Sequence, residues 1–474
     1  MIEFMGTQTL IFFYIHEIMI YQDEVENIIN SLKKQILRKG EIKVIILRDY
    51  AAKSPVTGKF SFTVSLGMMV PRENSEGCDF LELDKSEDRE ERLSIDEVRR
   101  YFKAAFQDST SMRKIFITFS HSTGFAINTN TEGSIVNLPL PIDVVVNPPL
   151  LINSHSIVNE NGYAHVSATS KYQIIDKAVD VNKNVNNKLW IYDLAKILDQ
   201  VLEPEERIDL MLMVNCNMQI LDTLFQLKRK VKILVASQTQ FSYYGFHYVA
   251  LLTTLNKYLE ISPPVLAVEI VRQFSEKYVY HIQDGISKLT CNTLFAHDLT
   301  YVHQLMEVVN NVSDYLFKLV HDPPLRKSIH ELREKKMADV TNYPGHFLNY
   351  DFIDFGGFLM VLSKGLDERR NGKLRVYLKM YRAIMKSMNL ANFIGDDYTI
   401  KDRDEERKFN LSGISVYFPT LETVTNSGKK LFGYLNMSKE SQYDVASKWD
   451  NFLEKLYDTS DEPLSKPHAP VSQL

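Results

Sequence analysis

Ile208-Asp209-Leu210-Met211-Leu212-Met213-Val214-Asn215-Cys216 is the stretch on which the fold turns. Six of its first seven residues are apolar. A short continuous apolar run bounded by polar residues reads as a strand buried on both faces, the pattern of parallel sheets covered by helices. A second run has the same form: Lys114-Ile115-Phe116-Ile117-Thr118-Phe119-Ser120, followed at once by His121. In an open parallel sheet, side chains just past the carboxyl ends of neighbouring strands converge on one edge, where ligands bind. A thiol and an imidazole at such an edge are the minimum equipment for nucleophilic catalysis.

Outward from these runs the chain alternates strand and helix. Thr9-Leu-Ile-Phe-Phe-Tyr-Ile15 reads as a first strand and Lys43–Arg48 as a second. Between them, Val25, Ile28, Ile29, Leu32 and Ile36 recur at helical spacing over about 22–38. Phe60–Leu66 alternates as a half-buried strand, and the charged stretch 73–92 reads as an exposed loop. Ser94 and Glu97 form a capping-box pair for a helix over about 95–107. The rhythm breaks at 125–188, a polar connection long enough to be functional. It returns with helices at about 190–202 and 218–229 and the strand Val231–Ser237. Residues 246–390 read as mainly helical, followed by one late strand, Ile414–Phe418, and a helix at about 439–456. The tail 459–474 reads as disordered.

Composition narrows the function. The chain of 474 residues carries 55 basic and 60 acidic side chains, a net charge of -5, which does not suggest a nucleic-acid partner. Lys228-Arg229-Lys230 reads as a solvated helix end. The cysteines Cys78, Cys216 and Cys291 are odd in number and widely spaced, so they form neither a disulfide framework nor a metal site. No run approaches the ~20 apolar residues of a membrane span. Glu3 before the first apolar run, and His16 and Glu17 after it, do not fit a signal peptide, so a cytoplasmic location is expected. A start codon lying upstream would make a secreted or periplasmic protein equally compatible. Ile15-His16-Glu17 offers no glycine-rich phosphate loop after the first strand, which argues against a dinucleotide enzyme.

Cys216 read alone is a core cysteine more readily than a nucleophile, because a lone cysteine on an apolar strand is usually buried core. His121 is equally open. Asn215, Asn217 and Gln219 suggest that the chain leaves the core there, and a helix directly after Cys216 would lower the thiol pKa. His121-Ser122-Thr123-Gly124 is a turn of small residues that lets a substrate carbonyl approach the backbone. Cys78 and Cys291 have no local partner and read as structural.

Several motifs together carry a resemblance. Ser120-His121-Ser122 stands where clostripain-family cysteine peptidases have Asp-His-Gly. Ile208-Asp209 and then Val214-Asn215-Cys216-Asn217-Met218 stand where the family has a strand beginning Ile-Asp and ending Asp-Ala-Cys-Leu-Met. Val235-Ala236-Ser237-Gln238-Thr239, then Gly245-Phe246 and Tyr248, are similar to the family's Val-Ala-Ser-Gln-Glu, Gly-Trp and Tyr. Tyr350–Phe355 and Ser412–Pro419 resemble its Val-Asp-Leu-x-x-Phe and Leu-Ser-Ile-Tyr-Phe-Pro segments. The likeness runs from residue 9 to about 456.

The resemblance implies a caspase-like α/β fold, shared with gingipains and legumains: a mostly parallel sheet with helices on both faces, and a mainly helical C-terminal region. The peptidase domain is expected over 9–260, with 125–188 as its long insert, and the helical region over 261–456. His121 and Cys216 would be the catalytic pair, with the backbone N–H groups of Ser122 and Cys216 on the oxyanion. The S1 pocket would take in Val214 and Ser237. In relatives the position of Val214 is an aspartate that pairs with a substrate Arg or Lys, so this chain is expected to have lost that preference. Relatives self-cleave between His and Cys, and 176–188 is the matching polar stretch. The partner implied is a peptide or protein substrate. No cofactor is required by the sequence. Calcium is implied for some relatives only, and no calcium-loop motif is present. The competing expectation is a catalytically silent homologue that binds a peptide or protein through the old cleft. Ser120, Ser122 and Val214 favour it, and the retention of both His121 and Cys216 opposes it.

Overall fold

The structure, a computed structural model, describes residues 9–17, 22–34, 37, 41–53, 60–72, 77–89, 93–107, 113–120, 122, 126–127, 189–239, 241, 246–283, 293–336, 351–394, 411–426, 434–435, 438 and 447–458. The first half contains β1 (Thr9–Glu17), α1 (Gln22–Lys33), β2 (Ile42–Lys53), β3 (Phe60–Pro71), β4 (Cys78–Arg89), α2 (Ile95–Gln107), β5 (Arg113–Phe119) and β6 (Ala126–Ile127). After the insert come β7 (Leu189–Trp190), α3 (Ile191–Val201), β8 (Ile208–Val214), α4 (Leu221–Leu227), β9 (Val231–Ala236), α5 (Tyr248–Lys257) and α6 (Pro263–Gln283). Beyond these lie β10 (Thr293–Asp298), α7 (Val302–Leu319), α8 (Pro323–Glu331), β11 (Phe352–Asp354), α9 (Phe355–Gly365) and α10 (Glu368–Met388). The chain closes with β12 (Asn389–Ile394), β13 (Ser415–Tyr417), α11 (Leu421–Asn426) and α12 (Trp449–Tyr457).

Nine strands form one sheet in the order β12-β10-β9-β8-β5-β1-β2-β3-β4. The five central strands are mutually parallel. β3 and β10 run against their central neighbours, and β4 and β12 turn back again on either edge. Each edge is therefore finished by an antiparallel pair, and the sheet is mostly parallel, as expected.

The apolar strands explain the layers. Along β1, Leu10, Phe12 and Tyr14 pack into one core with α2, α3, α4 and α7, together with α9, α10 and α12. Ile11, Phe13 and Ile15 pack into the other with α1, α5 and α6. Both faces of the central strands are dry, so a continuous apolar run is stable there. The Ser94–Glu97 capping box forms as read: Glu97 accepts the Ser94 N–H and hydroxyl, each at 2.8 Å, and donates its own N–H to Ser94 Oγ at 3.3 Å.

Three expectations change. Residues 78–89, read within an exposed loop, are the edge strand β4, paired to β3. An edge strand has one unpaired side, and its charges discourage association with other chains, so it lacks the apolar run that marks a central strand. The single late strand expected after 260 becomes four among the described residues, β10 to β13. β12 follows α10 without a break, so its first two residues fall within the stretch read as helical in sequence. The insert is tied at its two ends, where β6 and β7 pair antiparallel. Residues 128–188, including the 176–188 stretch, lie outside the described residues. Among the described residues no helix is long and apolar enough to cross a membrane.

Candidate active site

The chain winds through β1 to β4 on one side and through β5, β8 and β9 on the other, so the crevice opens at the carboxyl ends beside β5. Such switch points are where open α/β sheets bind ligands. Cys216 lies there, two residues past β8, and is half-buried. The Phe241 N–H donates to its Sγ at 3.3 Å. Burial pushes the thiol above its ordinary value, and the Phe241 N–H only partly offsets that. This corrects the expectation of a thiol lowered by a helix: α4 begins only at Leu221 and is one short helix of seven residues.

The residues between are instead stitched to the neighbouring strand end. Asn217, with φ of 55°, turns the backbone through the left-handed region that asparagine tolerates. Its N–H donates to Thr239 O at 2.7 Å, and the Gln219 N–H donates to Ser237 O at 3.0 Å. Asn215 and Gln219 do not mark an exit from the core; they are 1% and 0% exposed. Both are satisfied by hydrogen bonds, as buried amides must be. Thr118 Oγ1 donates to Asn215 Oδ1 at 2.6 Å, and Asn215 Nδ2 donates to Ser120 O at 2.8 Å. Gln219 Nε2 donates to Phe295 O at 3.0 Å, and Gln219 Oε1 lies 3.1 Å from His297 Nδ1. Burial drives His297 down to about 3, so it is neutral.

A second buried knot sits beyond β9. Gln238 Nε2 donates to Asp354 Oδ2 at 2.8 Å and to Ser415 Oγ at 3.1 Å, while Gly413 N donates to Gln238 Oε1 at 3.1 Å. Asp354 also accepts from the N–H groups of Gly357 and Ser412 and from the Ser412 hydroxyl. Burial still leaves its carboxyl above the usual range. Gly413 is required here: its φ is +92°, and a Cβ would lie 2.6 Å from the Phe295 ring.

Of the expected site residues, Ser122 and Cys216 meet directly, the Ser122 hydroxyl donating to Cys216 O. Val214 ends β8 opposite Phe119 and is 4% exposed. Ser237 is fully buried, its hydroxyl 2.9 Å from Thr293 Oγ1 and accepting the Thr239 N–H. His121 and Cys291 lie outside the described residues. Cys78 is buried in β4, and that burial raises its thiol. The sequence reading missed Thr118, Gln238 and Phe241. The one signal for the first was a lone hydroxyl in an otherwise apolar strand.

The sequence profile of the Clostripain family matches residues 162–456, more than half of the chain and inclusive of Cys216. The chain belongs to the clostripain family of cysteine peptidases. The family match begins after His121. Solved structures share the fold. The X-ray structure of an inactive zymogen C11 protease from Parabacteroides distasonis is 13% identical with a TM-score of 0.53, over 93% of this chain and 98% of that one. A secreted C11 cysteine protease from Bacteroides thetaiotaomicron, "iotapain", is 13% identical with a TM-score of 0.54, over 94% of this chain and 99% of that one. A secreted C11 cysteine protease from the same organism, in complex with an irreversible peptide inhibitor, is 13% identical with a TM-score of 0.53, covering 92% and 100%. No curated protein matches the sequence.

Proposed function

We propose that this clostripain-family chain is a cysteine endopeptidase that works through Cys216 and His121. The observation that carries the reading is the bracketing of His121. Its two chain neighbours are each bonded to the Cys216 turn, Ser120 through its carbonyl to Asn215 and Ser122 through its hydroxyl to Cys216 O. The raised thiol of Cys216 is neutral at rest and needs a base. In this mechanism His121 takes the thiol proton as Sγ attacks the scissile carbonyl carbon. The N–H groups of Ser122 and Cys216 receive the oxyanion. His121 then protonates the leaving amine, and water hydrolyses the thioester.

Specificity follows from Val214. A pocket walled there by an isopropyl group offers no counter-charge, so a cationic P1 side chain would be desolvated without compensation. Neutral P1 residues are therefore preferred.

A proteome-derived peptide library, incubated with the chain and with Cys216→Ala in parallel, tests both statements when new termini are sequenced by mass spectrometry. Cuts that vanish in Cys216→Ala, following neutral residues, are the expected result. Preferred cleavage after Arg or Lys would sink the specificity reading. No Cys216-dependent cuts, with or without calcium and after nicking within 176–188, would favour a silent peptide-binding homologue.

A further inference from the structure

The backbone pairing of β5 with β8 stops at Phe119 opposite Val214. Beyond that point the two chain ends would be free to diverge, yet side chains continue the coupling. Asn215 reaches back to the Ser120 carbonyl while the Thr118 hydroxyl holds its other amide atom. One residue further on, the Ser122 hydroxyl donates to the Cys216 carbonyl. Asn215 is 1% and Ser122 is 9% exposed, so both polar groups were desolvated to make these bonds. They are also the two positions where this chain has hydrogen-bonding side chains in place of the alanine and glycine of the family motifs quoted above.

We propose that Asn215 and Ser122 form a cross-strand clamp that fixes the turn carrying His121 onto the turn carrying Cys216, with Thr118 orienting the Asn215 amide. The three side chains act as positioning groups: none of them is required to touch substrate, even though the Ser122 backbone N–H faces the oxyanion, and their effect passes through the geometry of the thiol and the imidazole. The proposal rests on the Cys216–His121 reading.

The test follows alkylation of Cys216 by iodoacetamide from pH 5 to 9, quantified on the Cys216 peptide by mass spectrometry so that Cys78 and Cys291 do not contribute. No turnover is needed. Wild type should show a rise in the histidine range that is lost in His121→Ala. Asn215→Ala and Ser122→Ala should shift that rise into the thiol range. With the imidazole displaced, alkylation depends on the small ionised fraction of an unassisted, buried thiol. The rate at pH 7 should therefore fall by about tenfold or more, since an assisting base is typically worth at least that much. Thr118→Val, which keeps shape and loses the donor, should act in the same direction, and Thr118→Ser should restore the wild-type profile. This conservative pair keeps the test valid where Asn215→Ala does not fold. A histidine-range rise that survives in all the clamp variants would overturn the clamp and leave the dyad standing. A wild-type profile indifferent to His121→Ala would overturn the dyad and the clamp together.

Discussion

The two ends of the central strands are tied together by different chemistry. At the amino ends of β5, β8 and β9 the ties are charged. Asp209 accepts the Lys114 N–H at 2.9 Å and pairs with Lys232 Nζ at 2.7 Å, and Lys114 Nζ pairs with Glu206. Lys230, read in sequence as part of a solvated helix end, is 5% exposed and donates to the carbonyls of Glu203, Pro204 and Glu206. At the carboxyl ends the ties are mostly neutral: Thr118 with Asn215, Gln219 with His297, Gln238 with Asp354, Ser237 with Thr293. The exposed Lys232–Asp209 pair is open to screening by salt, the buried Lys114 and Lys230 much less so. Amide and hydroxyl networks hold geometry without changing charge near pH 7. Under the proposed dyad, a nucleophile that depends on one imidazole is best placed among groups that do not titrate beside it.

The largest effect expected from breaking this contrast is at Gln238. Its amide joins three partners at a site 2% exposed. Gln238→Ala would leave the Gly413 N–H and the buried Asp354 carboxyl each short of a partner, costing on the order of 3 kcal/mol. Urea denaturation would measure this, and a loss under about 1 kcal/mol would show that the knot is not a structural tie.

Much of the sheet was legible because its central strands are buried on both faces and so carry unbroken apolar runs. The capping box was legible because its two residues lie three apart. β4 was not, because an edge strand needs no apolar run: Leu81 and Leu83 are 51% and 52% exposed. At the site, Cys216 was legible as a residue at a strand end, and its surroundings were not. Thr118 and Asn215 are 97 positions apart in sequence and Gln238 and Asp354 are 116 apart. Local pattern carries no information about which distant carbonyl a buried amide will find. For the same reason Asn215 and Gln219 read as solvent-bound when they are buried.

One titratable group intrudes at the carboxyl end. Asp222, in the first turn of α4, is 7% exposed, and burial together with the nearby Asp450 holds its carboxyl well above the usual range. The folded state therefore binds this proton more tightly than the unfolded chain does. The contribution to stability is full below the ordinary carboxylate range and is lost as pH rises through the raised value. Asp222→Asn, neutral at every pH, should stabilise the protein at pH 8 by on the order of 1 kcal/mol or more. The gain should shrink towards zero at pH 4. Thermal denaturation at the two pH values reads it out, and an equal change at both would mean that the proton is not the cause.

The smallest effect should come from the charged end. Lys232 is 48% exposed, and its Nζ reaches Asp209 Oδ1 at 2.7 Å. Removing it does not strand Asp209, whose other oxygen still accepts the Lys114 N–H. Lys232→Met should therefore cost about 0.5 kcal/mol at low ionic strength. In 1 M salt, where the screening length is only about 3 Å, the difference from wild type should vanish. Gln238→Ala, its counterpart at the other end, should keep its full cost in the same salt, because nothing in that loss depends on a screened pair. Denaturation of both variants at two salt concentrations compares the ends within one experiment. A salt-independent loss in Lys232→Met, which keeps most of the aliphatic stem, would mean that a screened charge is not what Lys232 contributes. The division between a charged end and a neutral one would then no longer describe how the two are held.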